Sequence, residues 1–315
     1  MDSNGISIVI PTHGGRFLEA AVASVREQTV SNWELIIVDD GSTDGTALVA
    51  ASLAAGDRRI RVVTQANTGI ANARNRGLAA ISPRGGYVGL LDHDDVWMPD
   101  TLASLREALA ARPSASAAHG IATTIDERGA PYIVLDRGGL PRRLGVVAGQ
   151  VVSWPLDRPT EFANFAYDDC VTSVGSGLVR RSALDQIGGF DPLTEPADDY
   201  DFWARLSRVG EIVFLNRTVL AYRVHPTRTS VSARRQRGLG TPYVRHKLIT
   251  SPENTPEQRR TALTGFRQYQ TAQLAKRWSR GICAWRSGHY SAARGHLISA
   301  LSHLLQRVRG RPMLG

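Results

Sequence analysis

Between residues 6 and 91, short uninterrupted apolar runs alternate with longer stretches in which apolar residues recur at helical spacing. The runs Ile6–Ile10, Glu34–Val38, Ile60–Thr64 and Tyr87–Leu91 predict strands. Leu18, Val22 and Val25 predict a helix after the first, Ser42 and Thr43 stand where they could cap a helix running through Ala55, and Ile70–Ala80 suits a third. That alternation predicts an α/β fold, with helices flanking a mostly parallel sheet. Further on, the pattern predicts a helix over Pro99–Ala111, strands near Ala117–Thr123 and Tyr132–Leu135, and an irregular Gly/Pro-punctuated stretch from Arg137 to Pro159. A strand at Ser176–Val179, helices at Ser182–Ile187 and Asp198–Val209, and strands at Glu211–Leu215 and Val219–Val224 complete the core. From Pro256 to Gln306 only helical spacing remains, so a boundary is expected near residue 230 between an α/β domain over 1–230 and a basic helical region over 231–315.

In sheets of this kind the ligand lies beyond the carboxyl ends of the strands. The residues there are Pro11-Thr12-His13, Asp39-Asp40-Gly41-Ser42, Asn67-Thr68-Gly69 and Asp92-His93-Asp94-Asp95. Five carboxylates on one rim repel one another unless a metal or a basic group offsets them. Asp92 with Asp94 suits Mg²⁺ or Mn²⁺, which bind through one or two carboxylates and leave positions for substrate phosphates. On its own residues Asp95 fits a cap for the following helix equally well, and Asp39-Asp40-Gly41 fits an ordinary turn.

Composition narrows the classes. The chain has 315 residues, is 42% hydrophobic and 21% charged, and carries a formal charge of +9. Two cysteines, Cys170 and Cys283, make neither a disulfide framework nor a four-cysteine zinc site. The longest stretches without Asp, Glu, Lys or Arg are 13 residues, short of the roughly 18 or more a membrane-spanning helix needs. Residues 1–5 lack the basic start of a signal peptide, and a cytoplasmic protein is expected.

In order, Ser7-Ile8-Val9-Ile10-Pro11-Thr12, Glu34 through Asp44, Asn67 through Asn75, the acidic loop at Asp92, and Asp198-Asp199-Tyr200-Asp201-Phe202-Trp203 resemble the family 2 inverting glycosyltransferases. The resemblance covers roughly residues 5 to 226 and implies the GT-A fold, a Rossmann-like sheet that binds a nucleotide-diphosphate sugar. By that resemblance Asp40 contacts the base with Asp39 beside it, and Pro11, Thr12, Asn67 and Arg74 line the nucleoside pocket. Asp92 meets the ribose, Asp94 binds Mn²⁺ or Mg²⁺, and His225, in Tyr222-Arg223-Val224-His225, is a third ligand or a diphosphate contact. Gly175 and Ser176 match the segment under the donor sugar, where small residues allow close approach. Asp199 matches the catalytic base, with Asp198 in place of the family's usual Glu. It opens a helix whose dipole favours the ionised form. His93 replaces a smaller residue in the Asp-X-Asp motif and is expected to point away from the metal.

No Gln-X-X-Arg-Trp motif of the processive synthases follows Asp199; Gln273 through Trp278 has one residue too many, so addition of a single sugar is expected. The donor is expected to be of UDP or dTDP type, and the acceptor a glycan, lipid-linked or small-molecule hydroxyl. Arg228, Arg234, Arg235 and Arg237, with a helix over His296–Val308 bearing Leu297, Leu301, Leu304 and Leu305, make three roles open to the C-terminal region. These are packing on the core, peripheral contact with an anionic leaflet, and a homo-oligomer interface. Nothing in the sequence matches a nucleic-acid-binding motif. A dehydrogenase is disfavoured because no Gly-X-Gly-X-X-Gly follows the first strand. The other reading is a catalytically silent scaffold that binds nucleotide sugars.

Overall fold

The computed structural model describes residues 4–132, 143–226, 237–291 and 294–299. An eight-stranded sheet runs in the order β3-β2-β1-β4-β9-β6-β10-β5. Its first half comprises β1 (Ile6–Thr12), β2 (Trp33–Asp40), β3 (Ile60–Gln65) and β4 (Tyr87–Leu90), all parallel. The second half comprises β5 (Val96–Trp97), β6 (Ala117–Ile125), β9 (Gly177–Arg180) and β10 (Ile212–Arg223). There β6 and β10 are parallel, while β9 lies antiparallel between β4 and β6.

Both faces of this sheet are covered, which is why its strands read as continuous apolar runs rather than alternating ones. Ile6, Ile8, Ile10, Leu35 and Ile37 pack against α1 (Leu18–Arg26), α2 (Thr46–Ala55) and α4 (Thr101–Ala110). Val9, Ile36, Val38 and Leu90 face the other way. They join a cluster with α3 (Ile70–Ala80), α5 (Phe162–Tyr167), α6 (Arg181–Ile187) and α7 (Asp198–Val209). A small antiparallel hairpin of β7 (Leu144–Val147) and β8 (Gln150–Ser153) stands apart.

Two differences from the sequence reading have physical causes. The strands expected at Glu211–Leu215 and Val219–Val224 are one strand, β10, whose pairing with β6 shifts register between Phe214 and Leu220. The polar Asn216-Arg217 at that irregularity breaks the apolar pattern without ending the strand. Second, Arg137–Pro159 contains the β7–β8 hairpin. The strand expected at Tyr132–Leu135 lies almost wholly outside the described residues; Tyr132 itself is not in a strand.

In the C-terminal region, helices α8 (Arg237–Thr250) and α9 (Pro256–Arg286) pack on the α/β body, one of the roles the sequence left open. Val244, Leu248 and Ala262 belong to the same apolar cluster as Phe165 and Trp203. Of the helix expected at His296–Val308, residues 296–299 are described and helical. Leu301, Leu304 and Leu305, Arg228, Arg234 and Arg235, and the side chain of Arg237 lie outside the described residues.

Helix α9 crosses α5 so closely that a Cβ on Gly265 would stand 2.2 Å from the Ala166 carbonyl oxygen. Alanine favours a helix over glycine by about 1 kcal/mol. A clash with rigid backbone costs about 1–3 kcal/mol or more, and it wins here. Gly265→Ala is therefore expected to lower the thermal midpoint and to expose α9 to limited proteolysis; an unchanged midpoint would show that α9 does not dock at this crossing.

Candidate active site

The carboxyl ends of β1, β2 and β4 meet the amino ends of α3 and α7, and the two groups of residues they carry are arranged differently. At the first, Asp39 and Asp40 end β2 and are both buried. Asp40 accepts hydrogen bonds at Oδ1 from Gln65 Nε2 (2.7 Å) and Thr68 N (3.0 Å), and at Oδ2 from Gly69 N (3.1 Å). It thereby fixes the turn that leads into α3. Asp39 Oδ1 accepts from Ser42 N at 3.0 Å across Gly41, whose φ of +73° suits a residue without a Cβ. Asn67 lies 3.2 Å from His13 Nε2, and Pro11 and Thr12 close the end of β1, where Thr12 Oγ1 is buried without a partner.

The second group lines a cleft of about 320 Å³. Arg74, on α3, is buried between two carboxylates: Nη2 donates to Asp92 Oδ1 at 2.7 Å, and Nη1 to Asp198 Oδ2. Burial alone would lower its pKa, but Asp92 and Asp198 outweigh it and raise the guanidinium above its ordinary value. A basic side chain thus offsets part of the carboxylate repulsion expected on this rim. It gives Asp198 a role that its mismatch with the family motif left open in the sequence.

Next to this pair, Asp94 Oδ2 stands 2.9 Å from His225 Nε2. Burial pushes the Asp94 carboxyl up, yet its hydrogen bond with His225 and electrostatic attraction from His93 and His225 bring it below the usual carboxylate value. His93 borders the cleft with Asp92 and Asp94. Asp95 is fully buried, and Oδ1 accepts from Arg223 N at 2.9 Å. Burial, with the charges of Asp94 and Asp92, pushes its carboxyl well up. It therefore ties the acidic loop to β10 rather than capping a helix.

Asp199 opens α7 in the same cleft, with Oδ1 accepting from Tyr200 N at 2.8 Å. The helix dipole does not dominate its titration. Burial and the neighbouring Asp198 charge push its pKa up to about 6, against the opposing pull of Arg74.

Gly175 and Ser176 are not brought to the cleft. Both are buried, and a Cβ on Gly175 would meet Leu220 and Leu91, so its small size serves the core beneath the site. Trp97 Nε1 donates to the Gly175 carbonyl at 2.7 Å.

Several residues in or beside the cleft went unread in the sequence. Glu195 Oε1 accepts from Ala71 N at 2.8 Å and braces the start of α3. Asp168, Asp169 and Ser173, after α5, form one wall together with Thr241 of α8 and Tyr269 of α9. Arg245, almost fully buried, bonds Asp168 at 2.9 Å and lies 3.5 Å over the Tyr269 ring, which holds the wall rigid. No motif marks these residues; only the packing of α8 and α9 gathers them.

The profile of glycosyl transferase family 2 matches residues 7–188, and the chain belongs to that family. It is 30% identical over 229 residues to a chondroitin synthase of Pasteurella multocida (strain Pm70), covering 72% of this chain and 21% of that protein. A putative teichuronic acid biosynthesis glycosyltransferase, TuaG, of Bacillus subtilis (strain 168) is 40% identical over 112 residues, 35% of this chain and 44% of TuaG. The chain thus spans less than half the length of these relatives. Among solved structures, the mannosyltransferase PcManGT from Pyrobaculum calidifontis, in complex with GDP-Man and Mn²⁺, superposes with a TM-score of 0.62. It is 19% identical, and the match covers 94% of this chain and 75% of that one. S. aureus TarS 1-349 in complex with UDP-GlcNAc gives 0.61 at 14% identity, with 95% and 92% covered. The fold is that of the GT-A glycosyltransferases.

Proposed function

We propose that this chain transfers a single sugar, with inversion, from a UDP- or dTDP-type sugar donor to an acceptor hydroxyl in glycan or cell-surface polysaccharide biosynthesis, with the help of Mn²⁺ or Mg²⁺. The observation that carries this reading is the meeting of Asp199 with Arg74, Asp92 and Asp94 in one cleft. A base poised near pH 6 thereby faces a phosphate-and-metal site.

In this reading Pro11, Thr12, Asp39, Asp40 and Asn67 border the nucleoside, with Asp40 keeping the Thr68-Gly69 turn in place beneath it. Arg74 orients Asp92 toward the ribose. Asp94 and His225, an oxygen and an imidazole nitrogen 2.9 Å apart, are a donor pair that Mn²⁺ accepts, whereas Mg²⁺ would be held through the Asp94 oxygen. Among the described residues no cluster of three or more His, Cys, Asp or Glu forms a metal cage; a bound ion would take its remaining ligands from donor phosphates and water. When bound, the metal offsets charge gathering on the departing diphosphate. Asp199 Oδ2, the oxygen not bonded to Tyr200 N, takes the acceptor's proton as that hydroxyl attacks the sugar carbon from the face opposite the diphosphate. The wall of Tyr269, Thr241 and Asp169 then receives the acceptor.

The test is thermal unfolding with a panel of nucleoside diphosphates and their sugars, each with Mn²⁺ or with EDTA. Stabilisation by one base, present with Mn²⁺ and lost with EDTA, is the expected result, and Asp94→Asn is expected to remove the metal's part of it. Failure of every nucleotide to bind under both conditions would sink the donor-site reading and leave the silent-scaffold alternative without a ligand as well.

A further inference from the structure

The positive charge of this chain is concentrated in one segment. Residues 258–315 carry 11 Lys and Arg and no Asp or Glu, whereas the preceding 257 residues hold 27 basic side chains against 29 acidic ones. The second half of α9 lies in that segment, and it departs from the rest of the C-terminal region in what it exposes. Its first half is buried at Ala262 and Gly265, but Trp278, Ile282 and Trp285 are 47%, 42% and 60% exposed. Spaced by four and three residues, these three share one face of the helix. Tyr290, itself exposed, packs its ring 5.1 Å from that of Trp285 and extends the patch. Arg286 and Arg277 flank it on the helix, while Lys276 and Arg280 fall on the far side.

We propose that this end of α9 is a membrane-docking surface for an anionic phospholipid leaflet. Tryptophan favours the headgroup boundary, where its ring is shielded and its N–H stays wet, and long basic side chains reach the phosphates from beside it. Surface apolar residues scattered singly need no explanation, but a contiguous aromatic patch inside an acid-free segment does. The same charge argues against a second copy of the chain as the occupant, since two such faces would repel. No helix among the described residues is long and apolar enough to cross a membrane, so the contact is one that lies on the surface.

Tyr269 lines the cleft from the same helix, whereas Trp278 and Trp285 lie about 14 Å and about 24 Å further along the axis and on roughly the opposite face. The docking surface is therefore set apart from the cleft, and the proposal does not rest on the function proposed above.

The experiment is co-sedimentation of the full chain with vesicles of phosphatidylcholine alone and with about one third phosphatidylglycerol, in low and in 0.5 M salt. Binding at least about tenfold stronger to the anionic vesicles, weakened by salt, is expected. It is to be accompanied by a blue shift of tryptophan emission that Trp278→Ala with Trp285→Ala removes. Both side chains being exposed, the thermal midpoint of that double variant should match the parent. Equal partition into neutral and anionic vesicles, no partition, or unchanged partition of the double variant would each overturn the proposal. So would a concentration-dependent dimer abolished by the same two substitutions, or retention on RNA without vesicle binding. Vesicle binding is read without turnover, so loss of the docking surface and loss of the transferase reading are separate results.

Discussion

Asp199→Asn is expected to lower sugar transfer by about 10²–10⁴-fold, the usual contribution of a positioned base, while nucleotide binding survives. The amide keeps the shape of the carboxylate and an oxygen to accept from Tyr200 N, but it cannot take a proton from the acceptor. In the parent, transfer is expected to rise with pH through about 6, as the Asp199 carboxyl loses its proton, and the residual activity of the variant should lack that rise. The same substitution should stabilise the fold. A carboxyl whose pKa is raised in the folded state binds its proton more tightly there than in the unfolded chain. Its contribution is therefore present below about pH 4 and lost as pH climbs through about 6. At pH 7 the parent bears the cost of a second charge beside Asp198, and relieving it is worth about 1–3 kcal/mol. An inactive variant with a higher thermal midpoint at pH 7, and a smaller gain at pH 4.5, is the predicted pair of results. Full transfer activity would remove Asp199 from the mechanism, and a lower midpoint would mean that its charge is not repelled in the folded state.

That prediction draws on a residue visible in the sequence and an environment that is not. Strands β1, β2 and β4 were legible because the core of a parallel sheet permits almost no polar interruption, while β3, at the sheet edge, shows only Ile60, Val62 and Val63; β1 and β2 each extend two residues beyond their predicted ends, into Thr12 and Asp40, where the pattern turns polar as the site begins. The two-residue β5 carries no periodicity at all, and it is held by its edge pairing with Leu220 and Ala221. Strand β10 was split because the pattern treats a bulge as a terminus. Within the site, the acidic loop and the opening of α7 announced themselves by composition at strand and helix ends. Their partners did not: Arg74 and Asp198 are 124 positions apart, and nothing local to either distinguishes an ion pair from a solvated helix face. The same holds for Thr241 and Tyr269, which line the cleft, and for Arg245 behind them; Tyr269 stands there because Gly265 lets α9 close on α5. Gly175 shows the converse, since its small size was legible but what fills the space beside it, Leu220 and Leu91, was not.

The Arg74 ion pairs yield the second large effect. Arg74→Met is expected to destabilise the fold by about 3–5 kcal/mol at pH 7, read as a lower urea midpoint. The side chain it removes is almost fully buried, and so is Asp198; Asp92 is more open and less dependent on it. Deleting one partner of a buried pair leaves the other charge without compensation, a far larger penalty than the net worth of the intact pair. The pH dependence separates this account from simple loss of packing, because methionine fills much of the arginine's volume. Without the guanidinium, Asp198 and Asp199 face each other unrelieved, and protonation becomes the one means of reducing their repulsion. Folding of the variant then takes up protons that the parent does not, so its deficit should shrink as pH falls from 7 toward 5. A deficit constant across that range would point to packing rather than charge. Lysine is not expected to restore stability, since its single ammonium cannot reach Asp92 and Asp198 in the two directions that the planar guanidinium spans. With the fork gone, Asp92 loses the partner that holds it in the cleft, and on the proposed function transfer should fall together with stability; a variant that is destabilised yet binds nucleotide as the parent does would confine Arg74 to the fold.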